Sequence, residues 1–401
     1  MVESLIGAAC YVTFFALVPG IGSMMQASAL ALLFAAAVYA VLTGRVKSLA
    51  VSTTECVMYF TGVVYVLNGV FHGQDAATTA AAFLVAVLLI AVISRTITLE
   101  RLLDIGAYVT LLCVATALVV DHGGVAAALT ASMGQSEFAR FTPLNNVANL
   151  TGFTFGAGAI LLLRRALVCK GTAERLTMAV GAFVSCTFVL AASARSSIIA
   201  LFAAGAVALF LEFRLARVFS NKLVRVGTIV FAFVCIIFSE KIFAYFSRIL
   251  EFDSDTRGIA SGGTGRTGLW ARGVASLFDD PLTLLIGGGF RSSNADLIGF
   301  STESSYITIL LDSGIFMGAA IILVYWYSPL KALRLCAPPD RHASPLVLLA
   351  AFLTFLISES VFNRYLLAIG NPISLMTLLI LFSLSMREKL TEPAAEPRCV
   401  Q

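Results

Sequence analysis

The chain has 401 residues, 59% of them hydrophobic and only 12% charged, with a mean hydropathy of +0.93. A soluble protein of this size carries about 25% charged residues, so a soluble globular domain is excluded. The formal net charge of +4 gives no sign of a nucleic-acid partner; the placement of the charges says more than their sum.

Apolar runs bounded by charge, Gly or Pro recur along the whole length. A helix needs about 17–25 apolar residues to cross the hydrocarbon core, where only helices and closed barrels satisfy their backbone groups. The runs are continuous rather than alternating, which predicts helices. The first run, Leu5–Val18, is preceded by Glu3 and by no Lys or Arg, so it lacks the basic flank of a signal peptide and is read as a retained span. Twelve spans are predicted, at 5–20, 28–43, 53–71, 79–94, 104–121, 150–163, 177–194, 196–213, 226–244, 304–327, 345–362 and 366–385. The fold class expected is all-α: a polytopic integral membrane protein with one membrane domain over 1–401.

Short loops rich in Lys and Arg face the cytoplasm. With the N-terminus inside, nine of the 27 basic residues fall on the far side: Arg140, Arg195, Lys241, Arg248, Arg257, Arg266, Arg272, Arg291 and Arg364. Twelve spans return the C-terminus to the cytoplasm. Two longer far-side segments result, 122–149 and 240–303, the larger between spans nine and ten. Long loops in compact proteins are usually functional or disordered. The larger one holds helix-like pieces: "EKIFAYFSRILEF" aligns Ile242, Phe246, Ile249 and Leu250, and "TGLWARGVASLF" aligns Trp270, Val274 and Leu277. None of the eight cysteines falls in a far-side loop, so no disulfide framework is expected. There is no CxxC or HExxH, and His72, His122 and His342 are scattered, so no metal site or cofactor is expected.

The candidate functional residues gather on the far side. "LAASARSSIIAL" puts Arg195 in a minimal turn between two apolar runs. An arginine at bilayer depth costs about 2.5 kcal/mol or more; it either snorkels to the interface or faces a cavity and binds an anion, for which its planar fork is suited. Arg266 and Arg272 are six residues apart in "SGGTGRTGLWARG", where glycines allow backbone to approach a phosphate closely, although GxxxxGK[ST] is absent. "LIGGGFRSSNADLIGFSTESSY" contributes Arg291, Glu303 and Tyr306. Glu303 is either a helix-terminal carboxylate or a general base for a hydroxyl. "FARFTPLNNVANL" offers Arg140, Asn145 and Asn146 for sugar hydroxyls, and "ISESVFNRYLLAIGNP" places Glu359 and Asn371 near the far membrane surface. Arginines on one face beside a few carboxylates suit an anionic, lipid-borne substrate.

The stretch "GRTGLWARGVASLFDDPLTLLIGGGFRSS…STESSYITILLDSGIFMGAAI" resembles the C-terminal signature of the O-antigen ligase and O-antigen polymerase superfamily. "SARSSIIAL" is similar to its Ser-Arg step between two spans, "ARFTPLNNVANL" to its Arg- and Asn-rich element, and "SESVFNRYLLAIGNP" to the Glu and Asn of exopolysaccharide polymerases. The likeness covers about 135–385 and implies a glycosyltransferase C-like membrane fold. The ligase branch carries a His-Asn pair at the head of the tenth span, where this sequence has Glu303 and Ser304. That departure favours the polymerase branch.

The resemblance implies a polysaccharide polymerase of a bacterial inner membrane, joining undecaprenyl-diphosphate-linked oligosaccharide units on the periplasmic face without a metal. Donor and acceptor are both lipid-linked, and a chain-length-regulating membrane protein is an expected partner. By this resemblance Arg195 and Arg266 hold the diphosphate, with Arg291, Arg140 and Arg272 as further contacts. Glu303 activates the acceptor hydroxyl, Tyr306 positions it, and Asn145, Asn146, Glu359 and Asn371 bind substrate. Two alternatives remain from sequence: a ligase with lipid A core as acceptor, and a twelve-span flippase or other transporter. Against the transporter, no repeat relates the two halves and the unusual charges lie on one face.

Overall fold

A computed structural model describes residues 1–46, 51–72, 74–133, 140–212, 266–290, 299–336 and 346–391. Thirteen α-helices run through these residues: α1 Val2–Val12, α2 Gly22–Leu42, α3 Thr53–His72, α4 Gln74–Ser94, α5 Leu99–Met133, α6 Ala148–Val168, α7 Thr172–Ala191, α8 Arg195–Glu212, α9 Arg266–Asp279, α10 Pro281–Ile286, α11 Ser305–Cys336, α12 Leu346–Ser360 and α13 Pro372–Thr391. Short 3₁₀ turns occupy Thr13–Phe15 and Pro143–Asn145, and no strand occurs among the described residues. Seven helices, α2 to α7 and α11, are long and apolar enough to cross a membrane; α1 with its 3₁₀ turn, α8, α12 and α13 are shorter apolar helices. The protein is an all-α membrane protein. The predicted span 226–244, the segment "EKIFAYFSRILEF" and Arg291 lie outside the described residues.

Two helices differ from expectation for local reasons. The predicted span 104–121 is part of α5, which continues to Met133 through a kink at Asp121 (φ −141°, ψ 42°). There Asp121 Oδ1 accepts from the Gly124 amide at 3.1 Å, capping the second half, so the first part of the segment 122–149 is helical. The last span was expected from residue 366, but α13 starts at Pro372. Asn371 Oδ1 accepts from the amides of Ile373 (2.8 Å) and Ser374 (3.2 Å), an N-cap followed by Pro at the first helical position. Residues 361–371 are thereby left as a non-helical passage after α12.

Two sets of polar contacts mark the two ends of the bundle. At one end Ser52 and Glu55 form a reciprocal capping box, and Arg95 pairs with Glu55 at 3.0 Å. Asp104 there holds Arg164 and Arg165, both at 2.9 Å, and Glu100 pairs with Arg387. At the other end the Phe141 amide donates to Ala191 O, Ser196 and Ser197 meet Glu359, and Ser305 meets Asn363. α6 runs between the two ends through the middle of the bundle, with nearly every side chain buried, against α5, α7, α8, α12 and α13. Its Gly152 lies against Ala194 and Ser197, where a Cβ would approach Ser197 Cβ to 3.0 Å. That close approach seats the turn before α8.

α11 is interrupted at Gly314 (φ 75°, ψ 173°), and α10 ends at Gly287 with almost the same dihedrals (φ 77°, ψ 174°). This region of backbone space is essentially open to glycine alone. The two breaks serve each other. Leu311 O and Asp312 O, freed by the interruption, accept from the amides of Gly288 (2.7 Å) and Gly289 (3.0 Å). Asn68 Nδ2 donates to Ile286 O at 2.7 Å, so α3 ties down the end of α10. Further along α11, Pro329 removes the amide that would reach Tyr325 O, and the Ser328 hydroxyl donates to that carbonyl at 2.6 Å instead. A Cβ at Gly314 would meet the backbone of Leu285 and one at Gly287 that of Asp312. Gly314→Ala is expected to cost about 3 kcal/mol or more, the left-handed strain adding to a backbone clash. Gly205→Ala, inside α8 with nothing near its Cβ, should instead be neutral or gain about 0.5–1 kcal/mol. Thermal unfolding in detergent distinguishes them, and equal midpoints would contradict the account.

Candidate functional site

The turn Ala192–Ala194 that ends α7 and opens α8 is seated by α6, and α8 begins at Arg195. This places Ser196 and Ser197 one step inside the helix, both buried, facing α12. Their hydroxyls donate to Glu359 Oε1 at 2.9 and 2.8 Å, and Asn363 Nδ2 donates to the same oxygen at 2.6 Å. Glu359 is fully buried, and its other oxygen, Oε2, has no partner among the described residues. A buried carboxylate oxygen without a partner is costly. This atom marks the candidate site at this end of the bundle.

The passage 361–371 is tied to the head of α11. Ser305 Oγ donates to Asn363 O at 2.6 Å and accepts from the Leu366 amide at 3.3 Å, while Arg364 Nη1 donates to Ser301 Oγ at 3.0 Å. Glu303 lies in the segment so held, half-buried, with a left-handed backbone (φ 51°). Ser193 (φ 49°) and Leu144 (φ 57°) are the other non-glycine residues in that region among the described residues. All three flank candidate residues: Leu144 lies between Arg140 and Asn146, Ser193 stands before Arg195, and Glu303 is itself one. Left-handed backbone at such residues costs of order 1–3 kcal/mol and collects at functional sites.

α9 docks on the same passage. Its inward face is Arg266, Trp270, Gly273 and Leu277, not the expected Trp270, Val274 and Leu277; Val274 is 42% exposed. The helix has turned so that Gly273 rests on Thr302 and Ile307. The Trp270 ring packs on Phe362 (centroids 5.9 Å apart), and its Nε1 is buried with no partner among the described residues. Arg266, one turn earlier, makes no hydrogen bond or ion pair with a described residue. Its pKa is lowered, first by burial and then by the charge of Arg195, against the opposing pull of Glu303 and Glu359. Burial also raises the Tyr365 phenol, with Glu303 and Glu359 adding to the shift and Arg364 and Arg266 opposing it. Two arginines and two carboxylates therefore share one electrostatic neighbourhood.

The other candidates are placed apart or differently. Arg272, six residues beyond Arg266, falls on another face of α9, and its guanidinium lies over the Phe300 ring at 4.6 Å. The Tyr306 hydroxyl donates to Ile357 O at 2.7 Å. Asn146 is buried with its amide on Pro143 O, in a segment fastened to the end of α7 by the Phe141 amide, and Arg140 is half-buried in that same segment. Asn145 lies in the 3₁₀ turn. Asn371 caps α13 through Oδ1 and leaves a buried Nδ2 without a partner among the described residues. Ser196, Ser197, Asn363, Arg364 and Tyr365 were not foreseen as site residues. Their sequence signal was the neighbourhood "ARSS" and "SESVFNRY", polar residues crowded at the ends of apolar runs. Among the described residues no three His, Cys, Asp or Glu side chains gather as metal ligands would.

Fold and site together define an all-α membrane protein with a buried polar centre at one end of its bundle. No family model matches the chain, and no curated protein matches it significantly.

If Glu359 Oε1 is held by three donors, removing one should be felt in stability. Ser196→Ala and Ser197→Ala are each expected to cost about 1–2 kcal/mol, the double variant more than either. Unfolding in detergent measures this, and unchanged midpoints in all three variants would show the network to be idle.

Proposed function

We propose that the protein is a polysaccharide polymerase that joins oligosaccharide units carried on undecaprenyl diphosphate. The observation that carries this reading is Arg266, half-buried in one electrostatic neighbourhood with Arg195, Glu303 and Glu359. Burial disfavours its charge more than the two carboxylates support it, and its five-donor fork makes no hydrogen bond with a described residue. A bound anion of two or more charges relieves both costs, and a diphosphate fits the planar fork geometry. The apolar helices around the site suit a substrate whose other part is a lipid. By the charge rule the site end is periplasmic in a bacterial inner membrane, and the end with the Glu55, Asp104 and Glu100 ion pairs is cytoplasmic.

In this reading the acceptor hydroxyl gives its proton to Glu303 as its oxygen bonds to the anomeric carbon of the donor. The bond from that carbon to the diphosphate oxygen breaks, the electron pair leaves with the diphosphate, and undecaprenyl diphosphate departs. Arg195 and Arg266 hold the charge that develops there, in surroundings of low dielectric where fixed donors act strongly. Glu303 carries its carboxylate on left-handed backbone two residues before α11.

The test is polymer formation by the purified protein in detergent, with lipid-linked repeat units isolated from the native host. Wild type is expected to give a ladder of lengths that EDTA leaves unchanged. Arg195→Ala and Arg266→Ala should each lower the rate about 10²–10³-fold, and Glu303→Gln by about 10²–10⁴-fold. No ladder from wild type would overturn the reading, while a ladder that survives Glu303→Gln would remove that residue from the proton step.

A further inference from the structure

Beside the arginine pair lie two buried polar atoms whose chemistry is not that of phosphate recognition. Glu359 Oε2, as a carboxylate oxygen, accepts, and Trp270 Nε1–H only donates; neither has a partner among the described residues. Both are held in place by the rest of their side chains. Three donors on Oε1 fix the Glu359 carboxylate, so Oε2 cannot turn away to find a partner. The Trp270 ring is pinned on Phe362, three residues beyond Glu359 in the chain. Trp270 also stands one helical turn after Arg266, on the same face of α9, and Arg266 lies within the field of Glu359. The donor thus stands one turn from the residue assigned to the anion, and the acceptor's carboxylate lies within its electrostatic reach.

A second anionic group is a poor occupant, because Glu359 would repel it. An apolar group would leave both atoms unpaired at a cost of about 1–3 kcal/mol each. Hydroxyl groups suit both atoms, since one hydroxyl donates to Oε2 while another accepts from Nε1–H. We propose that Trp270 and Glu359 form a carbohydrate subsite that reads hydroxyls of the sugar bonded to the diphosphate at Arg266. The assignment rests on the polyprenyl-diphosphate reading above and adds which residues select the sugar. The aromatic face of Trp270 supplies apolar contact to the ring carbons, and the two polar atoms supply the orientation.

The experiment compares two labelled ligands that share one lipid diphosphate: the lipid-linked repeat unit isolated from the native host, and undecaprenyl diphosphate without sugar. Equilibrium binding is measured to the full chain in detergent. Wild type should bind both. Trp270→Phe keeps the ring on Phe362, and Glu359→Gln keeps an oxygen for the three donors. Each should weaken the repeat unit about tenfold or more relative to undecaprenyl diphosphate, whose binding Trp270→Phe leaves within about twofold and Glu359→Gln, which takes a negative charge from the field of Arg266, leaves unchanged or strengthens. That retained binding also certifies that the variants are folded. Arg266→Ala should weaken both ligands. With only two tryptophans in the chain, a Trp326→Phe background makes Trp270 the sole emitter, and its fluorescence should shift with the repeat unit but not with undecaprenyl diphosphate. Equal weakening of both ligands by the Trp270 and Glu359 variants, or no weakening of either, would overturn the subsite and leave water as the occupant. Failure of wild type to bind either ligand would instead overturn the diphosphate reading, and the subsite with it.

Discussion

The Glu359 carboxylate joins parts of the chain that are far apart in sequence. Ser196 and Ser197 come from the head of α8, Asn363 from the passage after α12, and the three meet on one buried oxygen. Other contacts at this end follow from it. The turn before α8 must lie where Gly152 of α6 lets it lie, or the serines would miss α12. The passage after α12 must turn back at Asn363, which brings that residue's carbonyl to Ser305 and so fixes the segment carrying Glu303. Arg195 is the first residue of the helix that supplies the serines and directly precedes them in the chain. A charged or strongly polar group in such a place needs every donor it can find. Here the donors reach one oxygen only.

The head of α11 depends on a second constraint, of backbone rather than side chain. Interrupting a helix inside a membrane frees carbonyls that no water can satisfy. The turn after α10 supplies the missing donors through Gly288 and Gly289, and Asn68 satisfies the end of α10 in turn. The glycine-rich turn is therefore first a plug for a broken helix. It also holds the short α9–α10 unit against α11, since α9 leads directly through Asp280 into α10 and Asp280 caps that helix with Pro281 behind it. Arg266 and Trp270 are placed by this route. The helix that carries them is positioned through satisfied backbone bonds, whereas the Arg266 guanidinium and Trp270 Nε1 make no hydrogen bond with a described residue.

Much of this was legible in the residues. Continuous apolar runs gave the helices, because a period of 3.6 inside lipid needs no polar face. Arg195 in a minimal turn and Glu359 near the end of an apolar run were visible as ionisable groups where lipid makes them expensive. What could not be read was which partners they find. Nothing in "SARSS" says that both serines point at a carboxylate 163 and 162 positions away. The six-residue spacing of Arg266 and Arg272 suggested a pair, but once α9 begins at Arg266 that spacing turns the two side chains apart, and Arg272 goes to Phe300. The start of α13 was missed because hydropathy outweighed the Asn371–Pro372 cap. The left-handed Leu144 has no local signal, since leucine there is set by surroundings and not by preference.

The two ends of the bundle carry similar side chains and treat them in opposite ways. At one end Arg95, Arg164, Arg165 and Arg387 each face a carboxylate within ion-pair distance, and Glu55 both caps its helix and holds its arginine. Those charges are spent on one another, which is what stability alone would select. At the other end Arg266 has no such carboxylate among the described residues, Glu303 sits on strained backbone, and the donors around Glu359 gather on one oxygen while the second has no partner among the described residues. The sequence contains the means to pair them, for Arg266 already lies in the fields of both glutamates. Buried atoms without a hydrogen bond occur at both ends, Arg164 Nε among them, but at the first end each of those arginines has an ion-pair partner, whereas Arg266 at the other has none among the described residues. Among the described residues the unpartnered groups of the proposed site are of two chemical kinds, the guanidinium of Arg266 and the single hydrogen-bonding atoms Glu359 Oε2 and Trp270 Nε1. The proposed ligand, part anion and part polyol, would meet both kinds within the reach of one turn of α9.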